Sequence, residues 1–344
     1  MNGTQRIKAM LSGEKVDRPG ISAWKHFYLE DRHPVDFVKR TMEFQDSNDW
    51  DFIKVMFNGY LMPEAFGAEI EWSKDSDTFP TMIKHPLNCP IDFANLTVPD
   101  VTKGAFKREV EAVEKLVKKY KGKVPVIPTI FTPLTAAEEM YSGWLNPYPT
   151  MAMVEHYPEE LHKGLEVICQ TILNFLDELV KVGIDGIFLA THLSCGTRLT
   201  REQHKEFTTD YALRILNHIK DNTWFNMLHV HGIDDLYIKE IKDYPVQAVN
   251  WEDVQSNVSL KEAREMMPDK ILIAGIEQWG DFYEEDRQKL KEHLKMRCKN
   301  AVEQIGRDKF IMAPGCCVPT DVPEYRLTVF KEACEEFFGE FEGK

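Results

Sequence analysis

The feature that most constrains the fold is an alternation of two hydrophobic periods along the whole chain. Eight short apolar runs, rich in β-branched and aromatic residues, have the length and composition of buried strands. These runs are 19–24, 52–57, 124–131, 184–190, 224–230, 248–251, 271–276 and 310–313. Apolar residues recur at helical spacing in 35–45, 106–120, 158–182, 200–221, 233–242, 259–266, 282–305 and 322–338. Eight strand-plus-helix units without an evident linker predict an α/β fold, a (β/α)8 TIM barrel rather than an open doubly wound sheet.

Length, charge and cysteine usage narrow the organisation of the chain and its partners. A barrel of 344 residues can form one domain, so we predict a single domain over 1–344 with a short N-terminal helical extension at about 1–16. The formal net charge of −14 argues against nucleic acid and acidic membranes as partners and favours a small-molecule substrate. Seven cysteines without a framework, and no segment with the pattern of an export signal or membrane span, predict a cytoplasmic protein.

Polar residues gather at the carboxyl ends of the predicted strands. In a (β/α)8 barrel these ends share one rim, where the strand-to-helix loops build the active site. The rim residues are Lys25, His26, Asn58, Thr132 to Thr135, Thr191, His192, His229 to His231, Glu252, Asp253, Glu277, Gln278, Cys316 and Cys317. The opposite strand ends carry mainly Gly, Lys and Asp of ordinary turns, so we expect the chemistry at this rim.

Three rim residues have the chemistry of zinc ligands. His229 and His231 are two residues apart at the end of the fifth run, so their side chains share one face if the strand continues. Cys316 follows the eighth run, and its thiolate would complete a set of three ligands that leaves a fourth zinc position open. We expect Glu277 to occupy that position when substrate is absent. The alternative is that the histidines only make hydrogen bonds and the cysteine is a small buried residue.

Other rim residues are expected to support the reaction. His26 or His192 would donate a proton to a leaving group, while Glu252, Asp253 or Glu277 would accept the second N–H of an imidazole ligand. Aromatic residues near the first two strand ends, Trp24 and Tyr60 among them, would line an apolar pocket for a flat substrate. The predicted catalytic residues are His26, His192 and Glu277, and the predicted substrate-binding residues are Trp24, Asn58, Tyr60 and Glu252. Ordinary rim polarity and core packing are the alternative interpretation.

Several stretches also carry a resemblance to a known family. They are DFIKVMFNG at 51–59, continuing to 70, PVIPTIFTPLT at 125–135, GIDGIF at 183–188 with LTREQHKEF at 199–207, and PGCCVPTDVP at 314–323. Together they resemble the uroporphyrinogen decarboxylase superfamily over nearly the whole chain. The resemblance implies a (β/α)8 barrel, in agreement with the hydrophobic pattern.

The resemblance also separates two kinds of chemistry. Decarboxylases of the superfamily carry an arginine-rich segment after the first strand, and this chain has WKHFYLE at 24–30 instead. Their substrate-contacting aspartate, tyrosine and Gly-His correspond to Asn58, Glu139 and Gly315-Cys316. The other branch contains corrinoid-dependent methyltransferases, which bind zinc through His-x-Cys and Gly-Cys. This chain keeps His229 and Cys316 of that pattern but has His231 in place of the first cysteine. The resemblance implies a zinc methyltransferase that uses cobalamin supplied on a separate corrinoid protein.

The charge of the ligand set bears on the direction of methyl transfer. One thiolate and two imidazoles leave a zinc site net positive, which suits Lewis-acid stabilisation of a leaving group. We therefore favour demethylation of a small substrate, such as a methoxylated aromatic compound, over methylation of a thiol of the coenzyme M type. A uroporphyrinogen-decarboxylase-like lyase and a non-catalytic metal-binding or interaction protein are further alternatives. The proline-containing connection 71–98 is expected to contact the corrinoid protein or the second subunit of a homodimer.

Overall fold

All eight predicted runs form strands of one parallel sheet in the computed structural model, which describes residues 1–143 and 146–339. The strands are β1 (Gly20–Ile21), β2 (Ile53–Val55), β5 (Val126–Phe131), β6 (Phe188–Thr191), β7 (Met227–Val230), β8 (Ala248–Trp251), β9 (Ile271–Ile276) and β10 (Phe310–Pro314). Their order in the sheet is β1-β10-β9-β8-β7-β6-β5-β2. The sheet curls and brings its two edge strands together. The Asp51 N–H, just before β2, donates to the Ile21 carbonyl of β1 at 3.0 Å. The architecture is therefore an α/β, TIM-barrel-like fold.

The strands are short and nearly continuously apolar because both faces of the sheet are covered. Outside, the helices pack on a large shared core; inside, a smaller cluster that includes Trp24, Phe52 and Phe188 fills the curled sheet. Helix α1 (Gly3–Ser12) adds Ile7 to this inner cluster and so closes the amino-terminal end of the sheet. This helix lies within residues 1–16, where the sequence predicts an N-terminal helical extension. The carboxyl end of the sheet therefore remains open for functional groups.

The remaining helices connect the strands, except for α13, which follows the last strand. They are α2 (Pro34–Asn48), α3 (Leu61–Ala65), α4 (Pro90–Ala94), α5 (Gly104–Tyr120), α6 (Pro133–Ser142), α7 (Tyr148–His156), α8 (Pro158–Val182), α9 (Arg201–His204), α10 (Asp210–Ile219), α11 (Leu260–Met266), α12 (Arg287–Ile305) and α13 (Glu324–Gly339). A π-helical turn, Lys205–Thr209, joins α9 to α10. Among the described residues, no helix combines the length and the apolarity that a membrane span needs.

The predicted helix 233–242 is wrong. Leu236 forms an isolated β-bridge with Cys195, and the Tyr237 N–H donates to the Ser194 carbonyl at 2.9 Å. Asp235 has a left-handed φ of 45°, which interrupts any helix at that point. The apolar spacing in this segment therefore reflects packing of an irregular loop against the loop that follows β6. The helix predicted over 282–305 begins later, where the Asp286 side chain caps α12.

The connection 71–98 holds structure that its composition did not predict. It completes an antiparallel hairpin of β3 (Glu69–Glu71) and β4 (Thr81–Lys84) and contains α4. Phe79, between the two strands, packs edge-to-face on Tyr28 and on Tyr60. The hairpin thereby lies over the rim near the ends of β1 and β2.

Candidate metal centre

The three predicted zinc ligands converge at the carboxyl end of the sheet. His229 lies within β7, His231 directly follows that strand, and Cys316 follows β10. One ligand atom from each side chain lies within 4.8 Å of the others, and the Cys316 Sγ is 3.6 Å from the His231 Nδ1. Two nitrogen atoms and one sulfur at this spacing match the donor set of a zinc site with an open position.

An asparagine holds the first imidazole. His229 Nδ1 is 2.6 Å from the Asn250 Oδ1, opposite it in the register of β7 and β8. The Asn250 amide nitrogen donates to the carbonyls of Ile273 and Pro314 at 2.7 and 3.2 Å, which turns its oxygen towards the ring. His229 must therefore carry its proton on Nδ1, so Nε2 presents a lone pair to a metal. Asn250, rather than any of the three acids considered from the sequence, is the acceptor for His229.

The protonation states of the three side chains suit a metal. Burial lowers the pKa of His231, and it lowers the pKa of His229 well below its usual range, so both rings are neutral at pH 7. The neighbouring Cys317 thiol, through its side chain, lowers the pKa of Cys316 and favours the thiolate. Neutral imidazole and thiolate are the forms that coordinate zinc. Each of the three pKa shifts is therefore in the direction that favours the metal-binding form.

His192 stands beside this group. Its ring centroid is 4.7 Å from that of His231, and its Nδ1 is 3.7 Å from a carboxylate oxygen of Glu138 on α6. Burial raises the pKa of Glu138 to about 7 and lowers the pKa of His192 well below its usual range. An acid that holds a proton near pH 7 therefore lies behind a neutral imidazole at the edge of the candidate centre.

The candidate centre opens into a cavity of about 430 Å³ that is mostly apolar. Seven of the ten predicted site residues line it, namely Trp24, His26, Asn58, His192, His229, His231 and Cys316. Burial lowers the pKa of His26 to about 3, and no hydrogen-bond partner faces its Nδ1 among the described residues. The Asn58 side chain is held in the fold, since it donates to Asp31 at 3.0 Å and accepts from the Tyr60 N–H at 2.7 Å.

The other three predicted site residues lie outside the cavity lining. Tyr60 packs on Phe79, which does line the cavity, with ring centroids 4.9 Å apart. Glu277 accepts the Trp279 N–H at 2.8 Å and does not join the group of converging ligands. Glu252 accepts the Val254 N–H at 3.0 Å, and its other oxygen is buried without a partner among the described residues.

Two functional candidates, Asn250 and Lys54, escaped the sequence analysis. Each is a single polar residue inside an apolar strand, in AVNW of β8 and IKV of β2. Such residues are expensive to bury and therefore carry a signal, although the strand pattern alone does not say what they face. The Lys54 ammonium lies 4.4 Å from the centre of the Phe188 ring, inside the cavity.

The fold and the residues agree with comparisons to known proteins. A family model described as uroporphyrinogen decarboxylase matches residues 3–337. Uroporphyrinogen decarboxylases from Aliivibrio salmonicida and Actinobacillus pleuropneumoniae are 21% and 22% identical over 303 and 291 residues, each alignment covering 82% of this chain and 78% of the relative.

Solved structures share the fold at lower sequence identity. A methyltransferase from Methanosarcina mazei superposes with a TM-score of 0.81 at 17% identity, covering 98% of this chain and 99% of that one. A B12-independent methionine synthase from a Shewanella species gives a TM-score of 0.60 at 14% identity, with 90% and 89% coverage. The resemblance inferred from the sequence is confirmed: the chain belongs to the uroporphyrinogen decarboxylase family.

Proposed function

We propose that this protein is a zinc-dependent methyltransferase that demethylates a small substrate, such as a methoxylated aromatic compound, and passes the methyl group to a corrinoid protein. The observation that carries the proposal is the convergence of His229, His231 and Cys316 within 4.8 Å at an apolar cavity. A dedicated imidazole acceptor, Asn250, supports a ligand role for His229 over an ordinary hydrogen-bonding role. The proposal takes the chain as one closed (β/α)8 barrel in the cytoplasm.

The side chains fit the metal in number, type and protonation. His229 would bind through Nε2 and Cys316 through its sulfur, with His231 as the third ligand and one position left for substrate. Zinc held by one thiolate and two imidazoles supplies a Lewis acid that stabilises negative charge on a departing oxygen or nitrogen. Cobalamin on the separate corrinoid protein supplies the methyl acceptor.

The remaining residues bind the substrate and manage the proton. Phe131, Phe188 and Trp24 present flat apolar surfaces and exclude water from the reacting groups. The departing atom keeps the electron pair of the broken bond and needs a proton. We assign this proton to the Glu138 carboxyl, relayed through the neutral ring of His192, which would take it up at Nδ1 and release the one on Nε2. His26, the other donor predicted from the sequence, lines the same cavity, but burial lowers the pKa of its ring to about 3, so it is neutral at pH 7 and is the weaker candidate.

Two other activities use the same site differently. Methylation of a thiol of the coenzyme M type would also need the three ligands, but a net positive centre activates a thiolate less than one with two protein thiolates. A decarboxylase-like lyase is favoured by the names of the curated relatives. The cavity argues against a lyase, because its described lining contains one lysine, Lys54, and no arginine. These side chains are too few to bind the several carboxylates of a decarboxylase substrate.

Metal analysis tests the proposal. We expect elemental mass spectrometry of protein purified without chelator to find about one zinc per chain, with the metal lost from both His229→Ala and Cys316→Ala. Zinc-loaded protein is then assayed for methyl transfer from methoxylated aromatics and from methylated thiols to cob(I)alamin. Absence of zinc after reconstitution, together with carbon dioxide release from a carboxylated substrate, would favour the lyase instead.

A second protein is part of the proposal. The corrinoid protein, or a second copy of this chain, would contact the hairpin of β3 and β4, which lies over the rim. Ile83 on that hairpin is 60% exposed, as is Trp279 at the cavity. Sedimentation of the chain alone and with a corrinoid protein distinguishes these partners.

A further inference from the structure

A buried lysine in the cavity has no acidic partner. Lys54, on β2, is 9% exposed, and no carboxylate among the described residues comes within 4.0 Å of its ammonium. Its neighbours are the Phe188 ring at 4.4 Å, the Trp24 ring at 5.9 Å and the thioether of Met56. These groups attract an ammonium only weakly, so most of its hydrogen-bonding capacity is unused.

The charge of the cavity as a whole is also unbalanced. Its described lining contains no Asp or Glu. If the three ligands hold a divalent ion, the single Cys316 thiolate cancels half of that charge and the Lys54 ammonium adds one more positive charge. A cation buried in an apolar cavity is unfavourable without an anion, and the anion that the described lining offers, the Cys316 thiolate, would be shared with the metal ion.

We infer that Lys54 binds a carboxylate of the methyl donor, so that the substrate is an anionic, flat molecule such as a methoxylated aromatic acid. The inference deepens the proposed function and rests on it for the methyl group. The anion site itself depends on Lys54 and on the absence of acids around it. An aromatic body of the substrate would lie among Trp24, Phe131 and Phe188.

The geometry allows one molecule to reach both groups. The Phe188 ring contacts the Lys54 ammonium at 4.4 Å and stacks on the His229 ring with centroids 5.2 Å apart. The distance between the Lys54 ammonium and the centre of the His229 ring therefore cannot exceed the sum of these two distances. We place the carboxylate of a methoxybenzoate at Lys54 and its methoxyl oxygen towards His229.

Binding of a matched pair of compounds tests this inference. The probes are 4-methoxybenzoate and the neutral 4-methoxybenzamide, measured by isothermal titration calorimetry on wild-type protein, Lys54→Met and Lys25→Met. Lys25 is the matched control, since it is a buried lysine whose ammonium donates to the carbonyls of Thr320 and Val322 outside the cavity. We expect the wild type and Lys25→Met to prefer the acid, and Lys54→Met to bind it roughly 10- to 100-fold more weakly while binding the amide unchanged.

Failure of the inference is separable from failure of the proposed function. Binding of neither probe by wild type, equal binding of both, or an acid preference that survives in Lys54→Met overturns the carboxylate site. The zinc content of each variant reports on the metal centre independently, because Lys54 is not among the three ligands. A cooperative thermal unfolding transition is the check that Lys54→Met is folded, and Lys54→Arg, which keeps the charge, should retain part of the preference.

Discussion

Replacing Asn250 by leucine is the sharpest test of how the metal centre is held. The substitution keeps a similar volume and removes three buried hydrogen bonds, to His229 Nδ1 at 2.6 Å and to the carbonyls of Ile273 and Pro314 at 2.7 and 3.2 Å. Without its acceptor the imidazole is free to exchange tautomers and to rotate, and it must be reordered on metal binding.

The expected effect has two separable parts. Loss of an outer-shell partner weakens metal binding about 10- to 100-fold, or ~1.4 to 2.7 kcal/mol. The unpaired N–H and carbonyls lower the free energy of unfolding of the metal-free protein by about 2 to 4 kcal/mol. Zinc affinity is measured by competition with a chromophoric chelator at pH 7, and stability by urea denaturation of the metal-free protein.

A matched control separates ligand positioning from general destabilisation. Asn226 is equally buried, accepts the Ile187 N–H at 3.1 Å and donates to Thr223 at 2.9 Å, at the opposite end of β7. Asn226→Leu should lower stability and leave zinc affinity unchanged. Asn250→Asp keeps the acceptor oxygen and should retain most of the affinity. If Asn250→Leu binds zinc as tightly as the wild type, Asn250 supports strand packing alone and the argument for His229 as an oriented ligand is refuted.

Three further predictions concern single side chains. Cys316→Ser should weaken zinc binding roughly 100-fold or more because it removes the thiolate, whereas Cys317→Ser should retain zinc. Metal analysis of both variants is the measurement, and equal loss of zinc from the two would contradict the assignment of Cys316 as the single thiolate ligand. His192→Asn should lower the demethylation rate about 100-fold with zinc content unchanged, and an unaltered kcat would assign the proton elsewhere. Burial raises the pKa of Asp31 to about 7, so the contribution of this residue to the free energy of unfolding should fall as pH rises from about 3.8 to about 7, because the unfolded chain releases this proton first. Asp31→Asn should flatten that dependence, and urea denaturation at several pH values that gives parallel curves for the two proteins would contradict it.

The fold could be predicted largely because each local pattern agreed with the global architecture. The runs at β8 and β9 matched the observed strands residue for residue, since buried parallel strands are apolar on both faces. The segment 233–242 failed because its apolar spacing matched a helix, while its backbone hydrogen bonds go to Ser194 and Gly196, some 40 residues away in sequence. The spacing of apolar residues within one segment carries no information about hydrogen-bond partners so far away in sequence.

The candidate site divides in the same way. His229, His231 and Cys316 could be found from the sequence, because a strand end always lies at the rim and two-residue spacing sets a shared face. Asn250 and Lys54 could not be given roles, because each depends on the register and curvature that bring β8 beside β7 and β2 across from β6. Glu277 had the right position along the chain, yet its carboxylate turns to the Trp279 N–H.

The sequence by itself determined the order of strands and helices, the family and the three metal-competent side chains at one rim. The hydrophobic period and the position of a strand end are local properties of the sequence. In a parallel sheet they are enough to place a side chain at the rim, because the carboxyl ends of all strands lie on the same side. Only the tertiary structure decided which polar group holds His229, and that the Lys54 ammonium faces the cavity without a carboxylate partner among the described residues. Those facts depend on contacts between strands far apart in the chain, where a difference of one residue in register would turn the same side chain to the other face of the sheet.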